Sequence, residues 1–371
     1  MNPKIRLITF NASVILKAIA SLSLLLHCLS FPAMGQTAPS TKSGEIYAGI
    51  ELTSEGARAI ALSVSINEEE TGLKLVYSET ISLALGRAGN GQFAPQAIEK
   101  AVQTVLKLMT RLRQQFQTPP ERVFLIGSSG LGADHPEGLV NAIRKTTGKT
   151  LVFLDVETEV QLSIVGTISR LGKVGDTQID NRNSSALIEI NIDSVKGGYQ
   201  LLKYSPSAPP SYDFVTMSIS YGAMGLASAE SLWQALRRER DGKPGLVNRK
   251  RVYLTGSVPC AMATLLYPED QQPFVPLTTE VIEWFDRKVA RAPQEVLNPN
   301  LSFIRDRDLR QKAESELRAV KNAFTPQQLA AGVAAVRAVA SEFKWQGKQI
   351  WFTRFGHLGL LLSYVRLQAE K

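Results

Sequence analysis

"AGIELTSEGARAI", residues 48–60, reads as a strand, a polar turn and a second strand, and "ALIEINIDSVKGGYQLL", residues 186–202, repeats that pattern in the other half of the chain. Each first strand ends on a carboxylate, Glu51 or Glu189, and each turn carries small or hydroxylated residues. A tight hairpin offers backbone N–H groups and hydroxyls to an anion, and small residues let the backbone come close. A strand-end carboxylate can hold a divalent cation through water or orient a nucleophilic water. Two such hairpins facing each other across a cleft would clamp a phosphate chain. Hairpins need polar turns in any case, so either one alone reads equally well as an ordinary turn. The duplication carries the argument.

Working outward, the pattern around the two hairpins is also repeated. The first half has β-like runs at 46–52, 57–66 and 73–83, then a helix at 94–116 with Ile98, Val102, Val105, Leu106, Met109 and Leu112 at helical spacing. A strand "RVFLIG" (122–127), a helix (136–147), a strand "TLVFLD" (150–155) and a helix from Glu157 to Ser169 follow, up to a turn-rich boundary at 172–185. The second half starts the same way, with runs at 185–192, 197–205 and 212–220, a helix at 222–238 and the strand "RVYLTG" (251–256). Helices at 258–266, 277–289, 307–321 and 325–343, the strand "QIWFT" and a last helix from about residue 356 complete the chain. This order predicts two β-β-β-α-β units, a duplicated α/β domain.

With 371 residues the chain suits two domains, and 44% hydrophobic with 20% charged residues is a globular composition. The first 35 residues differ. Lys4 and Arg6 precede an apolar run, "AIASLSLLLHCLSF", that ends in "PAMG", the pattern of a secretory signal peptide cleaved after Gly35. A Thr/Ser/Pro linker (36–44) follows, and the expected destination is the periplasm or the exterior. Asn11 and Lys17 interrupt the apolar run, whose clean part is short for a span of ~20 residues; an uncleaved anchor stays open. Cleavage removes Lys4, Arg6 and Lys17 and no acid, so the formal net charge falls from +8 to +5. The most basic run, "RKR" at 249–251, precedes a strand, which argues against nucleic acid as a partner. Cys260 is the only cysteine beyond residue 35, and the histidines there are His135 and His357, too few for a transition-metal site.

Six segments in order, from 46 to about 368, give the chain a resemblance to the exopolyphosphatase/guanosine pentaphosphate phosphatase family, within the sugar kinase/heat-shock/actin superfamily. "AGIELTSEGARAI" resembles the first phosphate loop, I-D-x-G-S-N-S-x-R, and "ALIEINIDSVKGGYQLL" the second, D-x-G-G-G-S. Between them, residues 124–168 resemble the family's strand, helix, strand and a Glu-Ala-x-Leu-x-x-x-Gly helix, met here by Glu159, Leu162 and Gly166. "SISYGAMGL", "RVYLTGSVPCAMATLL" and the closing helix–strand–helix resemble the remaining segments. The resemblance implies duplicated actin-like ATPase (ribonuclease H-like) domains, two lobes with a central cleft. The N-terminal lobe would span 45–178 and the C-terminal lobe 179–371. It implies Glu159 as the base that activates water, Ser54, Ser194 and Arg58 as phosphate-binding residues, and Glu51 and Glu189 as ligands for a metal such as Mg²⁺.

The loops also depart from the family. Glu51 and Glu189 replace aspartates, Thr53 replaces a glycine and Glu55 an asparagine, while Asn191, Ile192 and Asp193 replace three glycines. Those glycines allow torsions and a close approach that a β-branched residue resists, and Glu55 and Asp193 add negative charge where phosphate oxygens would sit. The family's arginine after Thr-Ser-Ala falls on Gly132, its asparagine on Pro136, and the basic residue of its C-terminal Gly-Leu-Arg-x-Gly pattern on His357. Two functions follow as expectations. One is a non-catalytic binding or structural module with a degenerate phosphate site; the other is an active, metal-dependent hydrolase of polyphosphate or nucleotide phosphoanhydrides using Glu159. A carbohydrate kinase is a third, for which no Asp base or nucleotide-binding Gly-Gly pair stands out. The expected partner is a phosphate-containing small molecule or polyphosphate, and the oligomeric state is open, a homodimer included.

Overall fold

A computed structural model describes residues 44–371, except 54–55, 67–70, 84, 86–92, 133–135, 169–172, 175–176, 179–183, 206–207 and 221–226. The first sheet begins as an antiparallel meander of β1 (Glu45–Leu52), β2 (Gly56–Ile66) and β3 (Thr71–Ser82). Helix α1 (Pro95–Phe116) leads to β4 (Val123–Gly127), and α2 (Glu137–Thr147) leads to β5 (Leu151–Phe153); both strands join in parallel, giving the order β3-β2-β1-β4-β5. Both faces of this sheet are covered. Ala48, Ile50 and Leu52 pack against Ala101, Val105 and Leu108 of α1, while Ile60, Leu62 and Ile126 face the opposite way. The last five residues of β1, Ala48 to Leu52, are buried on both sides, Glu51 among them.

After α3 (Val156–Ile168) and a small ribbon of β6 (Lys173–Val174) and β7 (Thr177–Gln178), the second half repeats the plan. Strands β8 (Ser185–Ile190), β9 (Ser194–Ser205) and β10 (Ala208–Ser220) form the meander, α4 (Ala227–Gly242) follows, and β11 (Arg251–Thr255) pairs in parallel with β8. The order β10-β9-β8-β11 repeats β3-β2-β1-β4 and is extended by β13 (Gln349–Thr353) and the edge strand β12 (Phe274–Pro276). Helices α5 (Ser257–Leu266), α6 (Thr279–Arg291), α7 (Arg307–Ala323) and α8 (Pro326–Glu342) build the second core, with Leu254, Val258, Phe285, Val333 and Phe343 at its centre. The duplicated α/β architecture expected from the hairpins is the observed one. Three details differ from the expectation. β12 carries a proline and lies outside any alternating run, β5 is shorter than 150–155, and the described part of the helix placed at 222–238 starts at Ala227.

The last helix, α9 (Gly359–Ala369), does not stay with the second sheet. Its Leu361 and Val365 pack on Ile60, Leu62 and Ile126 of the first. It also crosses α3 at glycine contact: a Cβ on Gly166 would stand 1.9 Å from the Gly359 carbonyl oxygen, and one on Gly359 would stand 2.3 Å from Thr167 Oγ1. The other side of α3, through Val160, Ile164 and Ile168, packs on Leu187 and Tyr253 of the second sheet. Helix α3 is thus a wall common to both sheets. Its N-terminal turn, which carries Glu159, points into the space between them.

Candidate functional site

The β1–β2 and β8–β9 hairpins approach the same cavity of about 420 Å³, lined by Thr53 from the first turn and Asp193 and Ser194 from the second, with Glu159 between them. Register explains the side chains that enter it. Glu51 lies directly opposite Arg58 across the first hairpin, and Glu189 directly opposite Lys196 across the second. Each hairpin therefore presents an acid and, seven residues later, a base.

Glu51 is 2% exposed and 3.4 Å from Arg58 Nη1, which also donates to the His357 carbonyl oxygen at 3.3 Å. Burial pushes the Glu51 carboxyl up to about 7, against the opposing pull of Arg58 and with a further push from Glu159 and Glu189. The His357 imidazole goes the other way. Burial and the nearby Arg58 guanidinium push it down to about 3, so it is neutral, and its Nδ1 lies 2.9 Å from the Arg354 carbonyl oxygen.

Lys196 is 9% exposed and donates to Glu159 Oε1 at 2.8 Å and to Ser129 Oγ at 3.0 Å. Burial opposes its charge, but Glu159, Glu189 and Glu51 together outweigh that effect and hold the ammonium above the ordinary lysine range. The second oxygen of Glu159, Oε2, accepts from the Ser129 backbone N–H at 2.7 Å. Both carboxylate oxygens of the expected base are therefore engaged.

Three backbone donors near the cavity are spent in the same manner. Ser129 N–H goes to Glu159. Ser257 N–H, at the start of α5, goes to Asn191 Oδ1 at 2.9 Å, and Gly56 N–H goes to Thr53 Oγ1 at 3.1 Å. The Asn191 side chain also donates from Nδ2 to Glu189 Oε1 at 2.8 Å, so this substitute for a loop glycine ties the strand-end acid to the helix start. Ser194 Oγ donates to Asp193 Oδ1 at 3.0 Å.

The expected residues divide accordingly. Glu51, Arg58, Glu159, Glu189 and Ser194 meet at one cavity, and Ser54 lies outside the described residues. Gly222, Ala223 and Leu226 of "SISYGAMGL" and His135 lie outside them too. Sequence reasoning missed Asn191 and Ser129 as bonding partners; the signal available for Asn191 was a side chain in place of a glycine. A metal such as Mg²⁺, which takes one or two carboxylates and keeps several waters, would meet carboxylates already bonded within the chain. Among the described residues no group of three or more His, Cys, Asp or Glu side chains is disposed to hold a metal ion. Glu51 faces Arg58 and Glu189 faces Asn191 in place of open coordination.

No protein-family model matches the sequence, and no curated protein matches it closely enough to count as a sequence relative. Solved structures do match. An exopolyphosphatase from Cytophaga hutchinsonii has a TM-score of 0.59 at 13% identity, covering 86% of this chain and 98% of that one. An exopolyphosphatase-like protein gives 0.60 at 14% identity, over 88% of this chain and 100% of the other. The Ppx/GppA enzyme of Aquifex aeolicus gives 0.57 at 14% identity, over 86% and 99%. No described helix is long and apolar enough to cross a membrane. At such low identity the similarity is one of architecture, and over most of its length the chain has the duplicated actin-like ATPase fold of the Ppx/GppA exopolyphosphatases.

Proposed function

We propose that this chain is an exported, non-catalytic relative of the exopolyphosphatases, a two-lobed binding or structural module whose phosphate site is degenerate. The carrying observation is the state of Glu159. Its two oxygens accept from Lys196 and from Ser129 N–H, so a water reaching a remaining lone pair would hand its proton to a carboxylate already paired with an ammonium at 2.8 Å. The cavity's charge supports the same reading. Glu51, Glu159, Glu189 and Asp193 face it against Arg58 and Lys196, an excess of acid even with Glu51 half protonated. Phosphoryl transfer needs positive charge or donors aimed at the phosphate oxygens. Here Arg58 and Lys196 face carboxylates, and the Ser129 and Ser257 backbone donors are taken by side chains.

One observation favours the alternative, a phosphoanhydride hydrolase: Glu159 does stand between the two hairpins in their common cavity. Phosphate release from polyphosphate and from nucleotides, with and without Mg²⁺, decides between the two. The expected result is no release above background. Binding of inorganic phosphate should appear only when Asn191, Ile192 and Asp193 are changed to glycine and Glu51 and Glu189 to aspartate. Sustained release by the unaltered chain, abolished by Glu159→Gln, would overturn the non-catalytic reading.

A further inference from the structure

Arg58 and Lys196, the basic side chains beside the two hairpin turns, do more than neutralise acids. Lys196 belongs to β9 in the second sheet, yet it bonds Ser129, just after β4 of the first sheet, and Glu159 on the helix that both sheets share. Arg58 belongs to β2 in the first sheet, yet it bonds the carbonyl oxygen of His357, in the turn that follows β13 of the second. The arms cross the cleft in opposite directions from equivalent positions of the duplicated unit, each seven residues after its strand-end glutamate. Both are largely buried, with side chains 11% and 16% exposed, so each bond forms where water competes poorly.

We propose that Lys196 and Arg58 form a reciprocal clasp that locks the two sheets at one separation, so that the cleft of this protein does not open and close. Hinge motion in a two-lobed protein needs contacts across the cleft that break cheaply. A buried ammonium facing Glu159 is the opposite case. Pulling it away leaves a buried carboxylate unpaired, which costs far more than breaking a pair at the surface. Lys196 is the stronger arm, since its contacts are short and two of the carboxylates around it, Glu159 and Glu51, come from the first half. The same contacts pair Glu159 and Glu51, two of the cavity's carboxylates, with internal cations.

This deepens the non-catalytic reading of the same cleft, and the two fail separately. The test is a distance measurement by pulsed electron spin resonance. Spin labels go on Gln114→Cys in α1 and Asp308→Cys in α7, both exposed, with Cys28 and Cys260 replaced by serine. The parent protein should give one narrow distance population, unchanged by Mg²⁺ or inorganic phosphate. Lys196→Ala should add a second, longer population. Lys203→Ala, on the same strand but paired at the surface with Asp213, should not. If Lys196→Ala fails to fold, Lys196→Gln, which can still donate to Glu159 without the charge, carries the same expectation. A folded Lys196 variant with the parent's single distance, or a parent protein whose distances already spread, would overturn the clasp. Phosphate release by the parent would overturn the non-catalytic reading instead.

Discussion

Glu51 and His357 line the same cavity and titrate in opposite senses, which makes the cleft's response to pH readable. The unfolded chain releases the Glu51 proton near 4.5 and the folded chain near 7, so between those values the folded state binds more protons and stability falls as pH rises. His357 takes a proton near 6.5 when unfolded and only near 3 when folded, so its contribution falls as pH drops below 6.5. From 4.5 to 6.5 the two slopes oppose each other. Glu51→Gln removes one. The variant should match the parent near pH 4 and exceed it at pH 8 by up to ~3 kcal/mol, and it should lose stability more steeply as pH falls through 6. Urea denaturation at pH 4, 6 and 8 checks this. A variant weaker than the parent at pH 8 would mean that the Arg58 pair outweighs the burial of the carboxylate.

At the scale of elements, α3 holds the site because it packs on both sides. Gly166 is where α9 comes closest, and a methyl there would meet the Gly359 carbonyl, which is backbone and cannot rotate away. Gly166→Ala should therefore cost ~1–3 kcal/mol, the range for overpacking a close contact, although alanine is ordinarily the better helix former. Denaturant midpoints measure it. A neutral or stabilising result would show that the helices part freely. The sequence makes α3 legible as a helix with Glu159 in its first turn and Gly166 two turns on, because periodicity reports which face is apolar. It does not report which surface takes that face, so the return of α9 to the first sheet had no local signal. The same limit hid the partners of Lys196. Glu159 and Ser129 are 37 and 67 residues away, and only the approach of α3 to β9 joins them. Arg58 and Lys196 as opposite numbers of Glu51 and Glu189 were nearer to hand, since a hairpin's register follows from its turn.

For the molecule as a whole, the repeated order of strands and helices made the two-sheet plan readable, while the second loop's departure from the family pattern showed only as missing glycines until the bonds of Asn191 were in view. Compartment bears on which chemistry is plausible. A kinase outside the cytoplasm has no ready ATP, whereas a hydrolase needs only water and a binding module needs neither. Export would therefore set the kinase reading apart from the other two before any assay. Every described strand and helix lies within 44–371, which form one compact unit, so cleavage after Gly35 would remove none of them. It would remove three positive charges. We expect protein recovered from its native host to begin at Gln36 on N-terminal sequencing, and the chain from Gln36 onward to unfold at the same denaturant midpoint as the full chain. Native protein that starts at Met1 and fractionates with the cytosol would cancel the compartment argument and return ATP to the set of ligands the cleft must be tested against.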